Sequence, residues 1–135
     1  MSLTHFIVGD GPRRGVLLHG FLGQGRNLRT LAQRWIEADP SRMLLVPDLP
    51  GHGTSPIAGP DAGLEEMARA VLDTCREVRF ANGPISFTGH SLGGRVSLAA
   101  LRAFPSHVAD VSLLDIAASA YEGERGGTRR VAEKL

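Results

Sequence analysis

Gly89-His90-Ser91-Leu92-Gly93 is the stretch whose residue types and spacing most clearly permit chemistry. Glycines two before and two after a serine remove the side chains that would collide where a strand turns sharply into a helix. The hydroxyl then stands exposed at the C-terminal edge of a sheet as a nucleophile. The helix N-terminus beneath it favours developing negative charge. A serine attacking a carbonyl also needs two backbone N–H donors aimed at one oxyanion. Leu92, directly after the serine, would supply one. The other would come from Phe21, or failing that Leu22, in His19-Gly20-Phe21-Leu22-Gly23, where a turn after a strand is expected. His19 in that setting buttresses the loop rather than transferring protons. Arg95, one turn into the helix after Ser91, would either bind a substrate carboxylate or sit as an ordinary exposed arginine.

A general base is harder to find. Of the five histidines, His5 is near the terminus, His19 and His52 belong to loop segments, His90 faces away from Ser91 in an elbow, and His107 precedes a strand. None is a convincing partner for the serine. Asp48 and His52 read as loop-fixing residues, and Asp115 as a cap on the turn after the last strand, although it ends at the same edge as Ser91. Cys75 falls in a helical pattern between Leu72 and Val78 and reads as a buried structural residue. As the sole cysteine it forms neither an internal disulfide nor a thiolate cluster, and a reducing cytoplasm fits it best. No cofactor or metal is called for.

The elements that must position these residues follow from periodicity. Short apolar runs alternate with helical patterns, the mark of a parallel α/β sheet. Val16-Leu17-Leu18 is the first strand. A helix opens near Asn27 with Leu28, Leu31, Trp35 and Ile36 on one face and ends at Asp39-Pro40. Met43 to Val46 is the second strand, followed by the loop Pro47-Asp48-Leu49-Pro50-Gly51-His52-Gly53. Glu65 to Val78 is a helix, Ile85 to Thr88 a third strand, Ser91 to Phe104 a helix stopped by Pro105, and Val111 to Leu114 a fourth strand. The tail from Tyr121 to Leu135 mixes Gly, Glu and Arg. Internal repeats and low-complexity tracts are absent from the sequence.

Composition narrows the function classes. A chain of 135 residues with 42% hydrophobic and 21% charged residues resembles a globular domain rather than a disordered segment. Fifteen Lys+Arg against fourteen Asp+Glu leave a formal charge of +1, too little field to recruit nucleic acid or an anionic membrane. No apolar run approaches the ~20 residues a spanning helix needs, and the first residues do not look like a signal peptide.

His19-Gly20-Phe21, Asp48-Leu49-Pro50-Gly51-His52-Gly53-Thr54-Ser55 and Gly89-His90-Ser91-Leu92-Gly93-Gly94 together resemble the three N-terminal signatures of the α/β-hydrolase superfamily. Asn27-Leu28, Leu31-Ala32, Ser55-Pro56 and Leu114-Asp115-Ile116-Ala117 further resemble small bacterial acyl-ester hydrolases. Ser91-Leu92-Gly93-Gly94-Arg95-Val96 also resembles the menaquinone-pathway cyclohexadiene-carboxylate synthase. The resemblance implies an α/β fold, the N-terminal half of an α/β-hydrolase: a mostly parallel sheet, strands in the order second, first, third, fourth, and helices on both faces. Residues 1–120 would form the N-terminal part of the core and 121–135 the start of a lid. In that family the base histidine and the acid usually come from later strands. The resemblance therefore implies a serine hydrolase of small-molecule acyl esters or thioesters, with Ser91, Phe21 and Leu92 in its site and the histidine and acid missing from these residues. The isolated chain would be inactive and would need a complementary C-terminal polypeptide. It should not form a stable solitary monomer, because the fourth strand becomes an apolar edge. A synthase-like lyase using Ser91 as base with Arg95 on an anionic substrate, and a catalytically incomplete fragment, remain the alternatives.

Overall fold

A computed structural model describes residues 2–20, 23–51 and 63–114. Its sheet contains five strands: β1 (His5–Gly9), β2 (Arg13–Leu18), β3 (Arg42–Pro47), β4 (Ile85–His90) and β5 (Val108–Leu114). Their order across the sheet is β1-β3-β2-β4-β5. The pairs β2·β3, β2·β4 and β4·β5 are parallel, while β1 runs antiparallel to β3. The α/β class, the mostly parallel sheet and the order of the four strands expected from sequence all hold. The antiparallel β1 had not been foreseen. Its Phe6 and Val8 pack inward against the first helix while Ile7 is 41% exposed, so three successive apolar residues conceal the alternation that would announce a half-buried strand.

Helices cover both faces. α1 (Arg29–Ala38), preceded by a 3-10 turn over Gly25–Leu28, packs on Leu17, Leu44 and Val46. α2 (Leu64–Glu77) and α3 (Leu92–Ala103) lie on the other face, where Ala68, Val71, Val96 and Ala100 meet Val16, Leu18, Leu45 and Phe87. Adjacent residues of β2 and β3 thus feed opposite layers, as the two-residue strand period requires. One helix face needs correction. Leu28, Trp35 and Ile36 do face the sheet, but the fully buried residue of α1 is Ala32, and Leu31 is 42% exposed. Positions 28, 32, 35 and 36 form a stripe of four-, seven- and eight-residue steps that leaves 31 at its flank.

β5 begins at Val108, three residues before the expected start, and is the edge strand of the described sheet. Among the described residues no helix is long and apolar enough to cross a membrane. The expected domain boundary at residue 120, and the tail beyond it, fall outside the described residues.

Candidate active site

All four parallel strands end at one edge of the sheet, which places Asp48 after β3, His19 after β2 and Ser91 after β4 along a single line. Ser91 is the residue at which β4 becomes α3. Its backbone has φ 54° and ψ −112°, a conformation costly for a side-chain-bearing residue and often found where function demands it. The surroundings enforce it. A Cβ at Gly89 would overlap the backbone of Gly93, and one at Gly93 would overlap the Leu18 carbonyl of β2. The strand and helix can therefore approach this closely only with glycine at both positions. The Ser91 carbonyl accepts hydrogen bonds from Gly94 N–H (3.0 Å) and Arg95 N–H (3.2 Å), and Ser91 N–H donates to the Leu114 carbonyl at 3.4 Å. Buried Ser97 ties the first turn further, its hydroxyl donating to the Gly93 carbonyl at 2.8 Å.

Leu92 is the first residue of α3. The first N–H groups of a helix have no intrahelical acceptor. Phe21 and Leu22 lie outside the described residues, but the chain on either side of them is defined. Gly23 N–H donates to the Gly20 carbonyl at 3.0 Å, drawing the two ends together. Gly20 abuts the elbow: a Cβ there would stand 2.9 Å from His90 Nδ1 and 3.3 Å from the Ser91 Cβ. The segment carrying the second expected donor thus leaves from directly beside the serine.

The loop-fixing roles expected for His19 and Asp48 are visible as geometry. His19 is 1% exposed. Leu49 N–H donates to its Nε2 at 2.9 Å, which leaves the ring proton on Nδ1, 2.8 Å from the Gly20 carbonyl that accepts it. Gly25 N–H donates to Asp48 Oδ1 at 2.7 Å. The other histidines are placed elsewhere. His5 Nδ1 lies 2.8 Å from the Leu3 carbonyl beside β1; His107 closes the 3-10 turn before β5, at the far end of the sheet. His90 packs against Gly20. His52 and Asp115 are outside the described residues.

Arg95 is exposed on α3 and lines a shallow groove with Leu64, Glu65, Leu98 and Arg102. Its N–H donates to the Ser91 carbonyl at 3.2 Å, which places Arg95 one helical turn after the serine. Cys75 is buried under α2, and desolvation pushes its thiol up to about 12. A thiol so placed stays protonated and is not a competing nucleophile. Among the described residues no cluster of His, Cys, Asp and Glu could hold a metal ion.

A strained serine between two obligatory glycines, at the carboxyl edge of a parallel sheet and one residue before a helix, is the arrangement of a nucleophile elbow. The chain belongs to the alpha/beta hydrolase family, whose model matches residues 16–133. It is 38% identical over 119 residues to lipase LipV of Mycobacterium tuberculosis, covering 86% of this chain and 41% of the lipase. It is 38% identical over 106 residues to the pimeloyl-[acyl-carrier protein] methyl ester esterase of Methylococcus capsulatus, covering 78% of this chain and 37% of the esterase. A thermophilic esterase from Thermogutta terrifontis superposes with a TM-score of 0.73 at 29% identity, over 98% of this chain and 47% of that one. The chain therefore spans less than half the length of these relatives.

Proposed function

We propose that Ser91 is the nucleophile of a hydrolase acting on a small-molecule carboxylic ester or thioester. Its hydroxyl oxygen adds to the carbonyl carbon while its proton passes to a histidine. The tetrahedral oxyanion is held by the N–H groups of Leu92 and Phe21, the alcohol or thiol departs with that proton, and water then cleaves the acyl-enzyme. The observation that carries this reading is the elbow itself: a positive-φ serine locked by Gly89 and Gly93, with Gly20 packed against it. The names of the similar proteins, two esterases and a lipase, support an ester as the substrate class.

The histidine and acid are assigned to polypeptide outside residues 2–114, because His19 already serves the loops through both ring nitrogens, His5 lies opposite Pro47 on the outermost strand β1 with β3 and β2 between it and β4, and His107 lies at the other end of the sheet. A complementary C-terminal polypeptide would complete the site, and these 135 residues alone would be inactive. The lone buried cysteine favours a cytoplasmic setting.

A fluorophosphonate probe tests the proposal. The complete protein should be labelled on Ser91, with labelling abolished in Ser91→Ala. Absence of labelling, or labelling that survives the substitution, would overturn it.

A further inference from the structure

We propose that the amino edge of the sheet, where β2 to β5 begin and opposite the end that carries Ser91, holds a binding site for a small phosphate-bearing molecule, centred on Arg14 and Arg79. Two open clefts meet at this edge. One, of about 590 Å³, is lined by Arg13, Arg14, Arg42, Arg79 and Asp110. The other, of about 560 Å³, is lined by Arg69, Arg76, Arg79, Asp73 and His107. Arg79 and residues 81–84, on the connection from α2 to β4, belong to both. Six arginines and two aspartates thus line the pair, an excess of four positive charges in a chain whose formal net charge is +1. Like charges gathered in a cleft repel one another and attract anions.

Ion pairs offset four of the six. Asp39 takes Arg13 and Arg42 at 3.4 Å each, Glu65 takes Arg69 at 3.9 Å and Asp73 takes Arg76 at 2.9 Å. Arg14 and Arg79 differ. Arg14 Nε donates to the Gly11 carbonyl at 3.1 Å and its Nη1 to the Phe80 carbonyl, with the guanidinium over the Phe80 ring. These neutral acceptors fix the charge in place without cancelling it, and a guanidinium has further N–H donors to offer. Arg79 is exposed and has no carboxylate partner among the described residues. Its backbone is the anomaly, with φ 53°. It ends α2 in a turn where Arg79 N–H donates to the Arg76 carbonyl at 3.1 Å and Phe80 N–H to the Cys75 carbonyl at 2.8 Å. Glycine ordinarily fills such a position, because it adopts the left-handed conformation without penalty. The last turn of α2 already has a cation in Arg76, so interaction with the helix end does not require a second. What the strained position secures is a cation where the two clefts join. A phosphate suits the pair, since it is multiply charged and accepts guanidinium N–H groups two at a time. Asp110, which also lines the Arg14 cleft, accepts the Ser86 hydroxyl at 3.1 Å. The cleft has the volume of a small-molecule site, which favours a phosphorylated small molecule over an acidic protein.

Inorganic pyrophosphate, titrated into the complete protein by calorimetry at low ionic strength, is the probe. Wild type should bind it saturably. Arg79→Gly removes the cation and relieves the left-handed backbone at once, so it should weaken binding by about tenfold or more while the thermal midpoint holds or rises. A damaged fold would lower both. Arg14→Gln keeps a hydrogen-bonding head without the charge and should weaken binding as much. Arg34→Gln, on the exposed side of α1 and in neither cleft, removes the same charge and should leave binding unchanged. Absence of saturable binding to wild type overturns the proposal. Equal weakening by Arg34→Gln overturns it as well, since diffuse charge rather than a site would then hold the anion. Unchanged binding in Arg79→Gly overturns it even if Arg14→Gln fails to fold. A glutamate-rich peptide that binds in an Arg79-dependent way where pyrophosphate does not would make this edge a protein-docking surface and overturn the small-molecule assignment.

Discussion

The crossing from β4 into α3 and the crossing from β2 toward α1 lie side by side at one edge of the sheet, and they are held by opposite means. At the first, geometry is enforced by exclusion. Gly89 and Gly93 have no space for a Cβ, and the atoms in the way are backbone atoms of the elbow and of β2, which cannot swing aside as a side chain would. At the second, geometry depends on hydrogen bonds to a distant loop: His19 to Leu49 and Asp48 to Gly25. Exclusion at Gly89 comes from the elbow's own backbone and that at Gly93 from the adjacent strand β2, whereas the hydrogen-bond ties depend on a loop that follows another strand. The lesson is that two crossings can share one edge of a sheet yet differ in how robustly each is placed.

Substitutions graded across the two crossings should break or sharpen this contrast. The largest effect is expected from Gly93→Val, which forces a branched side chain into the Leu18 carbonyl. It should destabilise by well over the ~1 kcal/mol of a typical point change, up to failure to fold. An unchanged thermal midpoint would show that the elbow is less tightly enforced than its glycines indicate.

Next comes Asp48→Ala. It strips the buried Gly25 N–H of its carboxylate acceptor and should cost about 1–3 kcal/mol in chemical denaturation, while Asp48→Asn, which keeps an acceptor oxygen, should cost less. Equal losses for Ala and Asn would mean that Asp48 acts through its charge rather than through this hydrogen bond.

Gly23→Ala should have the smallest effect, within about 0.5 kcal/mol of wild type. The added Cβ would stand 3.1 Å from the Gly20 carbonyl oxygen and 3.3 Å from Asn27 Oδ1, close contacts but ones that a turn held by hydrogen bonds can relax. A loss as large as that of Gly93→Val would erase the distinction between the crossings.

Much of the fold was legible because buried parallel strands are continuous apolar runs: Val16-Leu17-Leu18 and Met43-Leu44-Leu45-Val46 lie within β2 and β3. Two helix ends were marked by Pro40 and Pro105, which cannot continue a helix. What escaped were features decided by a neighbour. β1 is a strand because β3 offers it an edge, with Phe6 opposite Val46 and Val8 opposite Leu44. Val108 to Asp110 extend β5 by pairing with Ile85 and Ser86, although Ala109 and Asp110 are exposed and do not read as a strand. Leu31 looks like a core residue by type, and it is the sheet's position beneath α1 that selects Ala32 instead.

By itself, the sequence determined the elbow. Two glycines around a serine, after an apolar run and before a helical pattern, mark where a strand can turn sharply into a helix, because they remove the side chains that would collide there. The alternation of apolar runs and helical patterns also determined a parallel α/β sheet, while the order of its four strands came with the resemblance to the α/β-hydrolase superfamily. Only the tertiary structure decided which ring nitrogen of His19 accepts and which donates, and that Gly93 has no room for a Cβ against Leu18 of β2. Those outcomes depend on the approach of segments distant in the chain. Hydrogen bonds such as Leu49 N–H to His19 Nε2 exist only once β2 and β3 have paired and brought their following loops within 3 Å of each other.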